Sequence, residues 1–487
     1  MINSDFRQNG KTISLESLFN SIIKLSSPFM KLLMLFFVTA VGLMARAATF
    51  APVIEIEEEV YTYSNANNGA GPMWCHGSTC LVRSGDHLFA TGLETVPDVK
   101  PLNNCRWVLF ERQPRGWERV HVDQHRTREP APAAAFSDGR IFISLNPTLG
   151  NGPEPNGGPA RPDVLEFRAE ASASTPVSSN PAWQGTPPFA EHSYRSFAAD
   201  GRAKELILFQ NIGYTHAEWS YRDLKDRWSA QGQLKWPWGA NYDKPEPVRV
   251  CYPNVAIHNR AVYFCGVSDV VEPYIAWREF KRQLTGKEWD YDFRRLFFTW
   301  TPDIAREPFA AWVEIASRDK TCGWIMPDDL YVDPKGDVHL LWSERAIDER
   351  LRPKFFPGAK QSYALNLALV RRGQVVRRQM LEESTEDKPG IVGSEARFQV
   401  TPDRRLFVVY YATGVDLTGN QVSENRIAEV LKDGTLTPPK RLPLKKPFTG
   451  FFTATIRAGS PPSRTLEMLG EQAGTPLTIS YAAVRLF

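Results

Sequence analysis

Ala133-Ala134-Ala135-Phe136-Ser137-Asp138-Gly139-Arg140-Ile141-Phe142-Ile143-Ser144-Leu145 is an apolar run, a Ser-Asp-Gly turn and a second apolar run. Short apolar stretches broken by turn residues read as a β-hairpin, because the two strands bury their side chains together once the turn folds them back. The same unit recurs at Thr79 to Thr91 through Ser84-Gly85-Asp86, at Arg195 to Phe209 through Asp200-Gly201, and at Asn254 to Gly266. It returns at Asp329 to Trp342 through Asp333-Pro334-Lys335-Gly336-Asp337 and at Arg397 to Tyr411 through Thr401-Pro402-Asp403, with a fainter copy from Phe452 to Glu467.

Most of these hairpins lead into a further pair of aromatic-bearing strands. Arg106 to Phe110 leads to Trp117, Trp219-Ser220-Tyr221 to Trp228, and Leu296 to Trp300 to Trp312, while Tyr363 to Val370 forms another such strand. Four strands per unit, repeated radially, make a propeller blade. The expectation is an all-β chain folded as a single β-propeller of seven four-stranded blades. The N-terminal strand Val53 to Tyr63 and the C-terminal strand Leu477 to Leu486 would share one blade, closing the ring and leaving no long edge exposed. The Pro-, Gly-, Ser- and Ala-rich segments Gly150 to Ala160 and Ala171 to Pro188 read as blade loops. One helix is expected, as an insertion, over Pro273 to Leu284.

Ahead of this pattern, Met30-Lys31, the apolar run Leu32 to Met44 and Ala45-Arg46-Ala47-Ala48 have the charged start, short greasy middle and small-residue exit of a secretory signal. The run is shorter than the roughly twenty residues that span a bilayer, so no stable membrane span is expected in the mature chain, although a retained run would act as an anchor. The division expected is an upstream extension over 1–29, a signal over 30–47 and the propeller over 48–487, secreted or periplasmic after cleavage. Net charge is +3 with acids and bases interspersed, and no basic stripe points to nucleic acid. Export makes the six cysteines candidates for two or three staples. Cys251 and Cys265 flank one hairpin and would face each other across it, the alternative being two buried thiols. Cys75 and Cys80 lack the second close pair of a usual zinc site.

The blade pattern resembles the sialidase-superfamily propellers with degenerate BNR-type repeats, and most of all the seven-bladed polysaccharide lyases such as ulvan lyases. A full Asp box would read S-x-D-x-G-x-T-W. No segment matches it, and Phe136-Ser137-Asp138-Gly139 is a remnant. The departure weighs against a sialidase more than against the propeller.

In a propeller the first strand of each blade lines the channel, so residues at the entrances to these strands converge on one mouth. Reading the entrances in turn gives Trp74 and His76, then Pro130 to Ala134, then His192, Tyr194 and Arg195, then Tyr252 and Asn254. The later blades give Trp324, Asp328 and Asp329, then Glu395 and Arg397, then Phe451 and Phe452. His216 joins them through Tyr214-Thr215-His216 in the same predicted blade as His192. Arginine pairs with a carboxylate through parallel charge-assisted hydrogen bonds, and tryptophan and tyrosine offer flat faces to sugar rings. The rim therefore suits an acidic polysaccharide or oligosaccharide.

The chemistry these types favour is β-elimination on a uronic-acid polysaccharide. Arg195 with Asn254 would neutralise the uronate, His192 would remove the C5 proton, and Tyr252 or Tyr194 would protonate the leaving oxygen. The lyases that the chain resembles also use histidine, tyrosine and arginine. Trp74, His76, His216, Trp324, Asp328, Asp329, Glu395 and Arg397 would hold the substrate. No cofactor is required, and a calcium or zinc ion could brace the blades. Two rival readings are a glycoside hydrolase using Asp328, Asp329 and Glu395, which needs two carboxyl groups about 5 to 10 Å apart, and a binding propeller without chemistry.

Overall fold

The computed structural model describes residues 50–487 apart from 76, 100, 151–157 and 193, together with the backbone of two short strands, Phe6–Gln8 and Lys11–Ile13. Those two strands pair antiparallel in a unit of their own. The expected signal over 30–47 and His76 lie outside the described residues. Among the described residues no helix is long and apolar enough to cross a membrane.

The second unit, Pro52–Leu486, holds seven four-stranded antiparallel blades. From the innermost strand outward, blade A is Leu81–Ser84, His87–Thr95, Cys105–Gln113 and Gly116–Val122. Blade B is Ala133–Ala135, Arg140–Leu145, Asp163–Arg168 and Val177–Ser178, and blade C is Arg195–Asp200, Glu205–Ile212, His216–Arg222 and Trp228–Lys235. Blade D is Val250–His258, Ala261–Ser268, Arg295–Thr301 and Val313–Ser317, and blade E is Trp324–Val332, Val338–Arg345, Ser362–Arg371 and Gln374–Thr385. Blade F is Ile391–Val400, Leu406–Val415, Gln421–Val430 and Lys440–Arg441. Blade G is Phe448–Thr453, Thr465–Gln472 and Thr478–Arg485, completed on its outer edge by Val53–Thr62.

Each innermost strand touches those of the two neighbouring blades, which makes a closed ring. Blade G is the closure expected from the termini: a late three-stranded blade takes its fourth strand from the start of the propeller, so opening the ring would break a full β-ladder. The core is sandwiched between blades. Phe209, Tyr221 and Trp236 of blade C and its following loop pack on Val255 and Phe264 of blade D, and Leu81, Val108 and Phe110 of blade A pack on Phe452, Leu469 and Tyr481 of blade G. Every predicted hairpin is present. The segment Ala171 to Pro188, expected as loop, contributes the two-residue outer strand of blade B, which is too short and too polar to show a periodicity. The expected helix forms at Ile275–Thr285, within an insertion between the second and third strands of blade D.

The expected disulfide between Cys251 and Cys265 is not formed, and all six cysteines are buried free thiols. The reason is a β-bulge. Cys251 pairs with Val267 and Asn254 with Cys265, so Tyr252 and Pro253 stand opposite Gly266 alone and the two cysteines fall out of register. The Cys251 thiol instead donates to Asp269 Oδ2 at 2.9 Å.

Two crossing segments fill the channel. Gly77 and Ser78, on the way from blade G into blade A, reach across to blades C and D: Ser78 Oγ accepts from the Phe197 amide at 3.1 Å, and Gly77 packs on the Pro253 carbonyl. Gly77 has φ +81°, and a Cβ there would run into that carbonyl, so the close approach requires glycine. Arg457 links the layers, donating to the Gly77 carbonyl and, through Nε at 2.7 Å, to Asp329 Oδ1. At the opposite end the Arg457 and Ala458 carbonyls accept from the Ala199 and Ala135 amides at 2.9 and 2.8 Å. Open space remains at both ends of the channel: a cavity of about 40 Å³ lined by Ile257, Val332, Val400 and Arg457 where the innermost strands end, and a cleft of about 20 Å³ at the face where they begin.

Candidate active site

The floor of this cleft is lined by Trp74, Cys75, Glu129, Pro130, Tyr194, Arg195 and Tyr252. Its residues come from the segments that enter blades A, B, C and D, which is how positions far apart in sequence meet. His192 Nδ1 lies 2.9 Å from Glu129 Oε1. The carboxylate is buried and the imidazole about one-third exposed. A carboxylate at Nδ1 favours the tautomer that carries the proton on that nitrogen.

The phenols stand beside this pair. The Tyr194 ring is 5.5 Å from His192 and 4.9 Å from Tyr252, and Trp74 meets Tyr252 edge-on at 5.8 Å. Burial pushes both phenols well above their ordinary range, so each stays protonated and holds its proton more tightly than a free tyrosine does. Tyr252 sits in the blade D bulge with φ 49°. Strain of this kind collects where a side chain has to be aimed.

Blades E and F repeat the device. Asp328 is the extra residue of a bulge between Pro327 and Asp329, and Glu395, with φ 52°, sits in a bulge between Ser394 and Arg397. Burial, then the charge of Glu395, pushes the Asp328 carboxyl up to about 7. Ser343 Oγ donates to its Oδ2 at 2.6 Å. Glu395 is raised as well, by burial first, with Glu471 adding to it. Arg397 lies 3.6 Å from Glu395 and donates to the Asp328 and Ala396 carbonyls.

Other predicted site residues have structural partners. Arg195 is buried and donates to the carbonyls of Ser144 at 3.1 Å and Pro130 at 2.7 Å, which makes it a fixed cation beneath the cleft rather than a free fork. Asn254 is 1% exposed, and its side-chain amide has no partner among the described residues. Asp329 is a hub, accepting from Arg457 Nε, the Leu330 amide and the Phe398 amide. His216 lies two strands out from the channel, held by Glu218 at 3.0 Å and Thr215 at 2.7 Å. Trp324 opens blade E and is 37% exposed.

The entrance pattern misses Glu129 by one residue, because it starts that entrance at Pro130. It also misses the residues that the blade D insertion and the preceding loop bring in. Phe293 packs 5.7 Å from Tyr252, and the Arg249 guanidinium lies 3.9 Å from the Tyr214 ring while bonded to Asp269 at 2.7 Å. No local signal places an insertion over the mouth. Among the described residues no group of three or more His, Cys, Asp or Glu could hold a metal ion.

No protein-family model and no curated protein matches the chain. Among solved structures it is similar to a protein of unknown function from Dyadobacter fermentans, at 12% identity and TM-score 0.42, covering 90% of this chain and 99% of that one. It is similar to an α-L-arabinofuranosidase from Fusarium graminearum bound to an iminosugar inhibitor, at 9% identity and TM-score 0.37, covering 72% and 91%. A neuraminidase-like protein of a flat-faced bat influenza virus matches at 8% identity and TM-score 0.33, covering 76% and 96%.

Proposed function

We propose that this chain is an exported carbohydrate-active propeller that cleaves a uronic-acid polysaccharide by β-elimination in the cleft above Gly77. The observation that carries the reading is the buried Glu129 carboxylate on His192 Nδ1, with two protonated phenols beside the ring. His192 Nε2 takes the C5 proton of the uronate. The electron pair left on C5 forms the C4–C5 double bond as the C4–O bond breaks, and Tyr252 or Tyr194 gives its proton to the departing oxygen. Arg195, which lines the cleft and is held by the Ser144 and Pro130 carbonyls, supports this by favouring the enolate-like charge that builds on the carboxylate.

The test is ultraviolet absorbance of the unsaturated product during incubation with a panel of uronate polysaccharides. A rise that His192→Ala abolishes supports elimination; an unchanged rise in that variant, or none with any substrate, defeats the reading. A specific observation favours a second one. Asp328, pushed up to about 7, stands within electrostatic reach of Glu395, and a protonated carboxyl beside a second carboxyl is the acid–base pair of a glycoside hydrolase. New reducing ends without ultraviolet absorbance would favour it.

A further inference from the structure

Cavities of about 340 and 330 Å³ lie beside the cleft on the same face, and they share two lining residues, Trp324 and Arg345. The first also takes in Phe293, which packs on Tyr252, so it adjoins the proposed catalytic cleft. The second is lined by Tyr363 and reaches Ser394, the neighbour of Glu395. Trp324, Arg345 and Tyr363 are direct partners on three adjacent strands of blade E. Residues opposite one another in an antiparallel ladder project from the same face of the sheet, so the three side chains form one row with the cation in the middle.

Arg345 differs from the other arginines of this wall. Arg294 is clamped by Glu272 at 2.9 Å and Arg350 by Asp348 at 2.6 Å, whereas Arg345 has no carboxylate partner among the described residues and its Nε is buried without a hydrogen bond. The two aromatic flanks are each 37% exposed. The carboxylates of the first cavity, Asp290, Asp292 and Asp348, are held by Lys281, Arg294 and Arg350. The Arg345 guanidinium between two part-exposed aromatic side chains is therefore arranged for an anionic group carried on a ring that stacks.

We propose that the row Trp324, Arg345 and Tyr363 is a binding subsite for a second anionic sugar of the polysaccharide chain held in the cleft, its carboxylate or sulfate on Arg345 and its ring on Trp324 or Tyr363. The inference rests on the reading of the substrate as an acidic polysaccharide.

Binding is measured separately from turnover, by affinity electrophoresis of the His192→Ala chain in polygalacturonate, in a sulfated galactan and in neutral dextran. Retardation by an anionic polymer and not by dextran is expected, weakening as salt rises. Arg345→Gln in the same background should lower the affinity about tenfold or more, Trp324→Ala should lower it also, and Arg345→Lys should recover part of the loss. Retardation by polygalacturonate alone assigns a carboxylate, and by the galactan alone a sulfate ester. Equal retardation by dextran, or an Arg345→Gln variant that binds as its parent does, overturns the subsite. Should Arg345→Gln fail to fold by circular dichroism, Arg345→Lys decides, since binding equal to the parent's in that variant and in Trp324→Ala removes the support. If Arg345→Gln weakens binding while no polymer yields an unsaturated product, the subsite stands and the lyase reading falls. An unsaturated product with binding indifferent to Arg345 keeps the lyase reading and removes the subsite.

Discussion

Glu129 Oε1 and His192 Nδ1 stand 2.9 Å apart, joining the entrance of blade B to that of blade C across the mouth of the propeller. The contact favours one imidazole tautomer, with the proton on Nδ1. Glu129→Ala should therefore lower turnover of a cleaved polysaccharide by about 10- to 100-fold while leaving binding in place, because the ring is no longer held in one tautomer. His192→Ala should cost about 100- to 10,000-fold. Initial rates and affinity electrophoresis on the same variants check both, and equal rates for Glu129→Ala and the parent would detach the pair from catalysis.

Tyr252→Phe should lower turnover by a comparable factor, about 100-fold or more, if it supplies the leaving-group proton. The substitution keeps the ring against Trp74 and Tyr194 and removes only the hydroxyl. Tyr194→Phe is the matched comparison, and the larger loss names the acid. Losses shared equally would mean that the two phenols act as one hydrogen-bonded unit.

Asp328 makes stability depend on pH. Its folded-state value of about 7 lies above the ordinary carboxylate value of 3.8, so between those limits the folded chain binds the extra proton. The stability that this proton contributes is present at the acid end and is lost as pH rises through about 7. Asp328→Asn should remove that slope and stabilise the protein above pH 7 by on the order of a few kcal/mol. Thermal melts of both proteins from pH 5 to 8 test it, and parallel curves would refute it.

Gly77→Ala should destabilise the propeller by about 2 kcal/mol or more, since the new Cβ meets the Pro253 carbonyl on a backbone that already needs positive φ. Because Gly77 also takes the Arg457 hydrogen bond, the damage should reach the cleft floor. Denaturant midpoints give the stability change, and a shift under about 0.5 kcal/mol would show that the plug yields at little cost.

The hairpins are legible in the sequence because each is local. An Asp-Gly or Pro-Asp turn between apolar runs specifies its own two strands, as at Ala133 to Leu145. Blade closure is legible too, since two unpartnered terminal strands need each other. Cys251 and Cys265 mislead because regular pairing would set them face to face, and a bulge spends an extra residue without a sequence mark that separates it from ordinary strand. Tyr252, Asp328 and Glu395 stand out by their place in the chain, but nothing there announces that all three occupy bulges.

By itself the sequence determined the fold class, the blade count, the closing strands and a pool of mouth residues, for these follow from turn chemistry and alternating burial within a few residues. Only the tertiary structure decided which of them work together. Arg195 turned to main-chain carbonyls and Asp329 became a hub for Arg457, while Glu129 found His192 and Arg345 was left without a carboxylate between two aromatic rings. Charge compensation and burial are set by neighbours that arrive from other blades, and a linear chain does not carry those distances.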